Sequence, residues 1–266
     1  VLAAKLSSMD RSLKPGNYKL SNIKNMKELL FRLTIADRDY IKVTIPEGWN
    51  IEQIVEKLEN KSLIDGDIFK SLCYNVPFIQ SLGYKDLESL EGYLFPETYF
   101  LSENQSEKEI IYMMIDQLEL AINKLNIENR FNFSIHDILT FASIVQGEGR
   151  LESEMKVIAS VFHNRLNRNM YLDANATIQY IIPGKNRRLM NKDLEINSPY
   201  NTYKYRGLPP GPINNPGLSA IEATLNPDET NYIYFVKDAE GGGAHVFSTN
   251  IKDHERAKRK YLRSLK

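Results

Sequence analysis

One cysteine, Cys73, occurs in 266 residues. No disulfide can close within the chain, and a cysteine-rich metal site is excluded. No apolar run approaches the roughly 20 residues that cross a bilayer as a helix, and no secretory leader pattern is visible. The sequence opens at Val1 rather than Met, so an anchor or targeting segment is expected to have preceded it. Charge of one sign is missing too: 34 Lys and Arg balance 34 Asp and Glu. That balance gives no electrostatic pull toward nucleic acid. The four histidines, His136, His163, His245 and His254, lack metal-ligand spacing. Gly241, Gly242 and Gly243 lack the Gly-x-x-x-x-Gly-Lys pattern and precede a strand, so they read as a hairpin connection rather than a phosphate loop. No metal and no cofactor is expected. There is no internal repeat and no low-complexity tract.

What remains is an ordinary globular composition, 42% hydrophobic and 26% charged, in a length that allows one large domain or two of common size. Tyrosine is plentiful at 15 residues; its apolar face and hydroxyl suit both cores and sugars. The texture changes near residue 80. Before it, a short strand is expected at 17–20, then Met26, Leu29, Leu30 and Leu33 at helical spacing. The alternating, β-branched stretch 41–45 follows, then an amphipathic helix marked by Ile51, Ile54, Val55 and Leu58. Helices at 67–74 and 76–82 lead to the aromatic segment 90–99, and a long helix runs over 107–125. Ser134 with Asp137 three residues on is a capping-box-like start for a helix reaching Gly147. Another helix spans 153–168, strands at 232–236 and 245–248 pair, and a basic helix closes the chain over 253–265. The fold class is α+β, with a small domain over 1–80 and a larger one over 81–266.

Five prolines and three glycines fall within 198–217. Proline fixes φ and lacks a donor, so this segment cannot be a helix or a central strand. It reads as a rigid loop, the kind of element that carries binding and catalytic groups on a scaffold. Three further segments stand out: Ala142-Ser143-Ile144-Val145-Gln146-Gly147-Glu148-Gly149; Val161-Phe162-His163-Asn164-Arg165-Leu166 with its continuation to Thr177; and Tyr234-Phe235-Val236 with His245-Val246-Phe247-Ser248.

In this order the segments resemble the YceG-like (MltG) family of endolytic murein transglycosylases over about residues 90–266. The first region, with Val43-Thr44-Ile45-Pro46-Glu47-Gly48, resembles the small LysM-like domain that precedes the family's catalytic domain. The resemblance implies an envelope protein. It would be anchored in the membrane by an N-terminal helix, face the periplasm or cell wall, act on peptidoglycan glycan strands and have cell-wall synthases as possible partners. It also implies cleavage of the β-1,4 bond after N-acetylmuramic acid without water: the C6 hydroxyl of the same sugar attacks C1 and leaves a 1,6-anhydro end. A hydrolase uses two carboxylates. Here the substrate supplies the nucleophile, so one carboxyl can protonate the leaving oxygen and deprotonate the C6 hydroxyl.

Aligned on the family's Ala-Ser-Ile-Val-Glu-x-Glu segment, the expected catalytic glutamate falls at Gln146. Glutamine keeps hydrogen-bonding capacity but cannot serve as acid or base. The expectation is therefore an inactivating substitution at Gln146, with Glu148 orienting it or binding substrate. A natural homologue that lacks activity or uses Glu148 remains open. So do a non-catalytic glycan-binding or scaffold protein, and a hydrolase pairing Glu148 with an acid such as Glu97. The candidate substrate-binding residues are Asn164, Arg165, Thr177, Gln179, Tyr200, Asn201, Tyr203, Asn215 and His245. Against these stand plain structural roles: a solvated helix face for Asn164 and Arg165, fixing of the proline loop for Tyr200, Asn201, Tyr203 and Asn215, and a strand-packing ring for His245.

Overall fold

A computed structural model describes residues 25–34, 41–125, 131–182 and 189–265. The strand expected at 17–20 lies outside them. Helix α1 (Met26–Thr34) is followed by β1 (Ile41–Thr44). Three capped helices come next. In α2 (Ile51–Glu59), Asn50 and Gln53 form a reciprocal capping box, and Ile51, Ile54, Val55 and Leu58 face inward. Asp65 and Asn75 cap α3 (Gly66–Cys73) and α4 (Val76–Ser81) through their side chains. Strand β2 (Thr98–Leu101) pairs antiparallel with β1, Val43 opposite Tyr99. The pairing crosses the boundary expected at 80/81. A single buried cluster runs from Val43 and Ile45 through Ile111 and Phe141 to Leu225.

The long α5 (Glu107–Leu125) buries Ile110, Ile111, Met114, Ile115 and Leu118 on one stripe. Helix α6 (Ile135–Glu148) begins at the expected Ser134–Asp137 capping box. Every residue from Ile138 to Val145 is buried. A helix apolar on all sides belongs inside a protein, and α6 is the central rod. Helices α7 (Met155–Asn167), α8 (Asn175–Ile181) and α9 (Leu218–Leu225) pack against it. The helix expected over 153–168 opens as a 3-10 turn at Glu152–Glu154. Segment 198–217 carries neither helix nor strand, as its prolines dictate, apart from one bridge between Asn215 and Trp49. Strands β3 (Tyr234–Lys237) and β4 (His245–Ser248) form the expected antiparallel hairpin, and α10 (Ile251–Ser264) lies across it. The described residues are thus mostly helical, with two small two-stranded sheets: a mixed α+β architecture. None of the described helices is long and apolar enough to cross a membrane.

Candidate active site

The last turn of α6 emerges from the core carrying Gln146 and Glu148. Residues two apart on a helix point about 200° from each other, so these side chains leave in opposite directions. Gln146 turns toward the Pro46–Gly48 bend. Its Oε1 accepts the Gly217 N–H at 3.0 Å, and its side chain hydrogen-bonds Glu47. Gly48 sits at φ +76°, a left-handed backbone that favours glycine, and a Cβ there would come within 3.2 Å of Gln146 Cγ. Gln146 therefore acts as a joint between the segment after β1 and the start of α9.

Glu148 points the other way, into a cleft of about 390 Å³ that it lines with Arg165, Asp173, Asn175, Tyr203 and Tyr234. Its Oε1 accepts the Ala176 N–H at 2.9 Å, and the Asn175 backbone also donates to it. Ala174, the residue preceding α8, offers no side-chain cap, so Glu148 supplies one from 28 positions away. Desolvation by the packed cleft raises the Glu148 pKa. The two backbone donors and the nearby His245 and Lys237 charges oppose that rise without cancelling it. A carboxyl biased toward its protonated form in a concave site is suited to donating a proton.

Arg165 is buried at 7% exposure and builds the cleft wall. Its Nε donates to the Ile233 carbonyl at 2.7 Å, and its Nη1 donates to the Leu172 carbonyl at 2.7 Å and pairs with Asp173 at 3.3 Å. The guanidinium also lies over the Tyr234 ring, 5.4 Å from its centroid. One planar fork thus ties the start of β3 to the α7–α8 turn, where Asp173 holds a left-handed φ of 47°. Tyr203 donates its hydroxyl to Asn175 Oδ1 at 2.8 Å, and burial, with the Glu148 charge beside it, pushes its pKa up.

Of the expected site residues, the structure brings Glu148, Arg165 and Tyr203 together in this cleft. Gln146 is not among them, because its helical phase turns it to Gly217. Asn164 holds the carbonyls of Thr230 and Tyr232 at 2.8 and 2.9 Å on another side of α7. Thr177 is fully buried and bonded to Ala174 and Thr202. Gln179 sits partly buried on α8, outside the cleft lining. Asn201 satisfies the Leu194 and Ile196 carbonyls and the Tyr203 N–H, and Tyr200 packs its ring against Tyr180. Asn215 is fully buried, accepts the Leu94 N–H and donates to Trp49 and Glu91. These residues shape the loop. His245 pairs with Glu154 through Nδ1 at 2.8 Å and reaches Glu148 only through its charge. Glu97 is exposed beside β2 and outside the cleft.

Sequence reasoning missed Asn175, Asp173 and Tyr234 as cleft residues, along with His254, Glu255 and Lys258 contributed by α10. The 200° phase difference between Gln146 and Glu148 was the available signal. Among the described residues, no group of three His, Cys, Asp or Glu side chains could hold a metal ion.

The profile of the YceG-like family matches residues 1–260. The chain belongs to the YceG-like family. It is 35% identical over 269 residues to a Bacillus subtilis protein named endolytic murein transglycosylase, covering 94% of this chain and 73% of that one. A Streptococcus pneumoniae protein of the same name is 33% identical over 276 residues, covering 92% of this chain; the match spans half, 50%, of that relative. A crystal structure of a YceG-like protein from Listeria monocytogenes superposes with a TM-score of 0.75 at 32% identity, covering 96% of this chain and 88% of that one. In this YceG-like chain the glutamine at 146 and the glutamate at 148 share one helical turn but not one cleft.

Proposed function

We propose that this chain is a peptidoglycan lytic transglycosylase that uses Glu148, not residue 146, as its acid and base. The observation that carries the reading is the position of Glu148 in the cleft: desolvated, with a raised pKa, beside Asn175 and Tyr203. The names of the relatives supply the substrate class. In the first half of the reaction, protonated Glu148 delivers its proton to the glycosidic oxygen as the C1–O bond breaks. In the second, the resulting carboxylate takes the proton from the C6 hydroxyl as O6 bonds to C1. Proton and bonds balance without water, and one carboxyl returns to its starting state. The Arg165–Asp173 pair and Tyr203 keep the cleft wall fixed around it.

The preference for Glu148 over residue 146 is supported by the engagement of Gln146 with Gly217 and Glu47; a strand binder or scaffold is the alternative that the experiment below separates from it. A hydrolase pairing Glu148 with Glu97 is disfavoured by the exposed position of Glu97 outside the cleft. The division into a LysM-like unit over 1–80 and a catalytic unit over 81–266 belongs to this proposal. So do the membrane anchor, the action at the cell wall and the synthase partners. The test is digestion of purified glycan strands by this chain, with mass spectrometry of the ends. Ends in 1,6-anhydro form support the proposal; reducing ends point to hydrolysis, and intact strands point to a binding protein.

A further inference from the structure

Helix α10 lies on the β3–β4 hairpin with one face and leaves the other to solvent. His254, Ala257 and Tyr261 are partly buried and mark the inner face; the His254 ring stacks on Tyr234 with centroids 5.1 Å apart. On the outer face Lys252, Arg256, Arg259 and Arg263 follow one another at i, i+4, i+7 and i+11, all exposed. At 100° and 1.5 Å per residue they fall within about 60° of the circumference and along about 16 Å of the axis. The helix carries six Lys and Arg against two acids, in a chain whose 34 cations and 34 anions balance. Those acids do not quench the row. Glu255 lies 3.9 Å from Lys258 and lines the Glu148 cleft. Asp253 pairs with Arg256 at 3.2 Å, but both side chains are open to water, where such a pair is worth little. Among the described residues, no acid lies within ion-pair reach of Lys252, Arg259 or Arg263. Like charges one turn apart weaken a helix, so the row does not serve the stability of α10.

We propose that this row docks a linear phosphate-bearing polymer whose backbone has no aromatic rings, a polyol phosphate chain. The proposal goes beyond the transglycosylase reading and does not depend on it. Cations in single file match a flexible chain with one negative charge on each unit. Three of the four are arginines, whose planar fork takes phosphate oxygens in pairs. What the row lacks selects among polyanions. Single-stranded nucleic acid is held by cations together with aromatic faces on which bases stack. The outer face has none, since Tyr261, the aromatic of this helix, lies on the inner one. A helix lying in a bilayer surface buries an apolar face between its cations. Here no apolar residue interrupts the row. The exposed Leu262 and Leu265 continue the line of Ile251 and Lys258, which faces the Glu148 cleft. A polymer on the row would therefore run along the far side of the helix that walls that cleft.

The test titrates the full chain with poly(glycerol phosphate) by calorimetry, between about 50 and 200 mM salt. The expected log K falls linearly with log salt at roughly −0.7 per neutralised charge, about −3 for four cations. The double variant Arg259→Gln, Arg263→Gln keeps good helix formers at both positions. It should halve that slope and weaken binding roughly tenfold or more at the low-salt end. Lys42→Gln with Lys61→Gln removes two exposed cations elsewhere and should change neither. Failure to bind the polymer, or equal losses in the two double variants, overturns the proposal. So does a single-stranded oligonucleotide of equal charge that binds more tightly than the polymer, which would make the ligand a nucleic acid. If the polymer does not bind and phosphatidylglycerol vesicles are captured through the same arginines, the row faces a bilayer instead. Arg259 and Arg263 lie outside the cleft lining, so strand cleavage by their double variant reads the transglycosylase proposal separately.

Discussion

Gln146 and Glu148, two residues apart at the end of α6, each satisfy the start of a different helix. Gln146 accepts from Gly217 at the entry to α9, and Glu148 accepts from Ala176 in the first turn of α8. The turn that presents the cleft carboxyl is thereby clamped on both sides. The same geometry separates a joint from an acid, although both positions sit in one short motif.

Gln146→Glu is expected to bring no activity gain and a loss of stability. A glutamate there gives up the amide donor to Glu47 and adds a like charge beside it, in a place where Glu152 already repels Glu47. The expected cost is roughly 1 kcal/mol near neutral pH, shrinking below about pH 5 as the carboxyls protonate. Urea unfolding at pH 7 and pH 4.5 measures both.

Arg165→Met removes the partner of two carbonyls and of Asp173 in one step. The expected destabilisation is about 2–4 kcal/mol, from buried acceptors left without donors. Arg165→Lys does not restore it, because one ammonium cannot span the acceptors that the planar fork reaches. Thermal unfolding of the two variants checks the order: native, then Lys, then Met.

The Lys237 charge favours the carboxylate form of Glu148. Lys237→Met should therefore raise the Glu148 pKa further. Proton donation needs the protonated form, so the alkaline limb of the rate profile moves to higher pH in this variant. A limb that stays in place or moves down contradicts the assignment of that limb to Glu148. The pH dependence of kcat/KM is the readout.

Glu91 is buried at 4% exposure beneath the Ile51 N–H and the Asn215 amide, and burial lifts its pKa to about 8. A carboxyl whose folded pKa lies above its unfolded value binds its proton more tightly in the native state. Its contribution is fully present below the unfolded value near 4.5 and is lost as pH rises toward about 8. The slope is at most about 1.4 kcal/mol per pH unit. Glu91→Gln should flatten that part of the stability profile, as read by denaturant midpoints from pH 4.5 to 8.5.

Local chemistry made much of this fold legible. Ser134 announces α6 through its capping box with Asp137, the spacing of Ile51, Ile54, Val55 and Leu58 announces α2, and the β3–β4 hairpin shows in its aromatic and β-branched runs. Helices α8 and α9 left no such signal, because Ala174 and Gly217 provide no side-chain cap. Their first N–H groups are met by Glu148 and Gln146, 28 and 71 positions away. The site divided along the same line. Motif order pointed to the 142–149 segment and to Arg165, but the face each side chain takes depends on helical phase and on loops that return from far along the chain. Two of the four loop residues expected to touch substrate, Asn201 and Asn215, bond carbonyls and N–H groups of segments folded against them.

The most direct measurement compares strand cleavage by the native chain, Glu148→Gln and Gln146→Glu, counting 1,6-anhydro ends over time. The account predicts a native rate that falls by roughly 10²–10⁴-fold in Glu148→Gln and does not rise in Gln146→Glu. Activity that appears only in Gln146→Glu, or that survives Glu148→Gln intact, contradicts it.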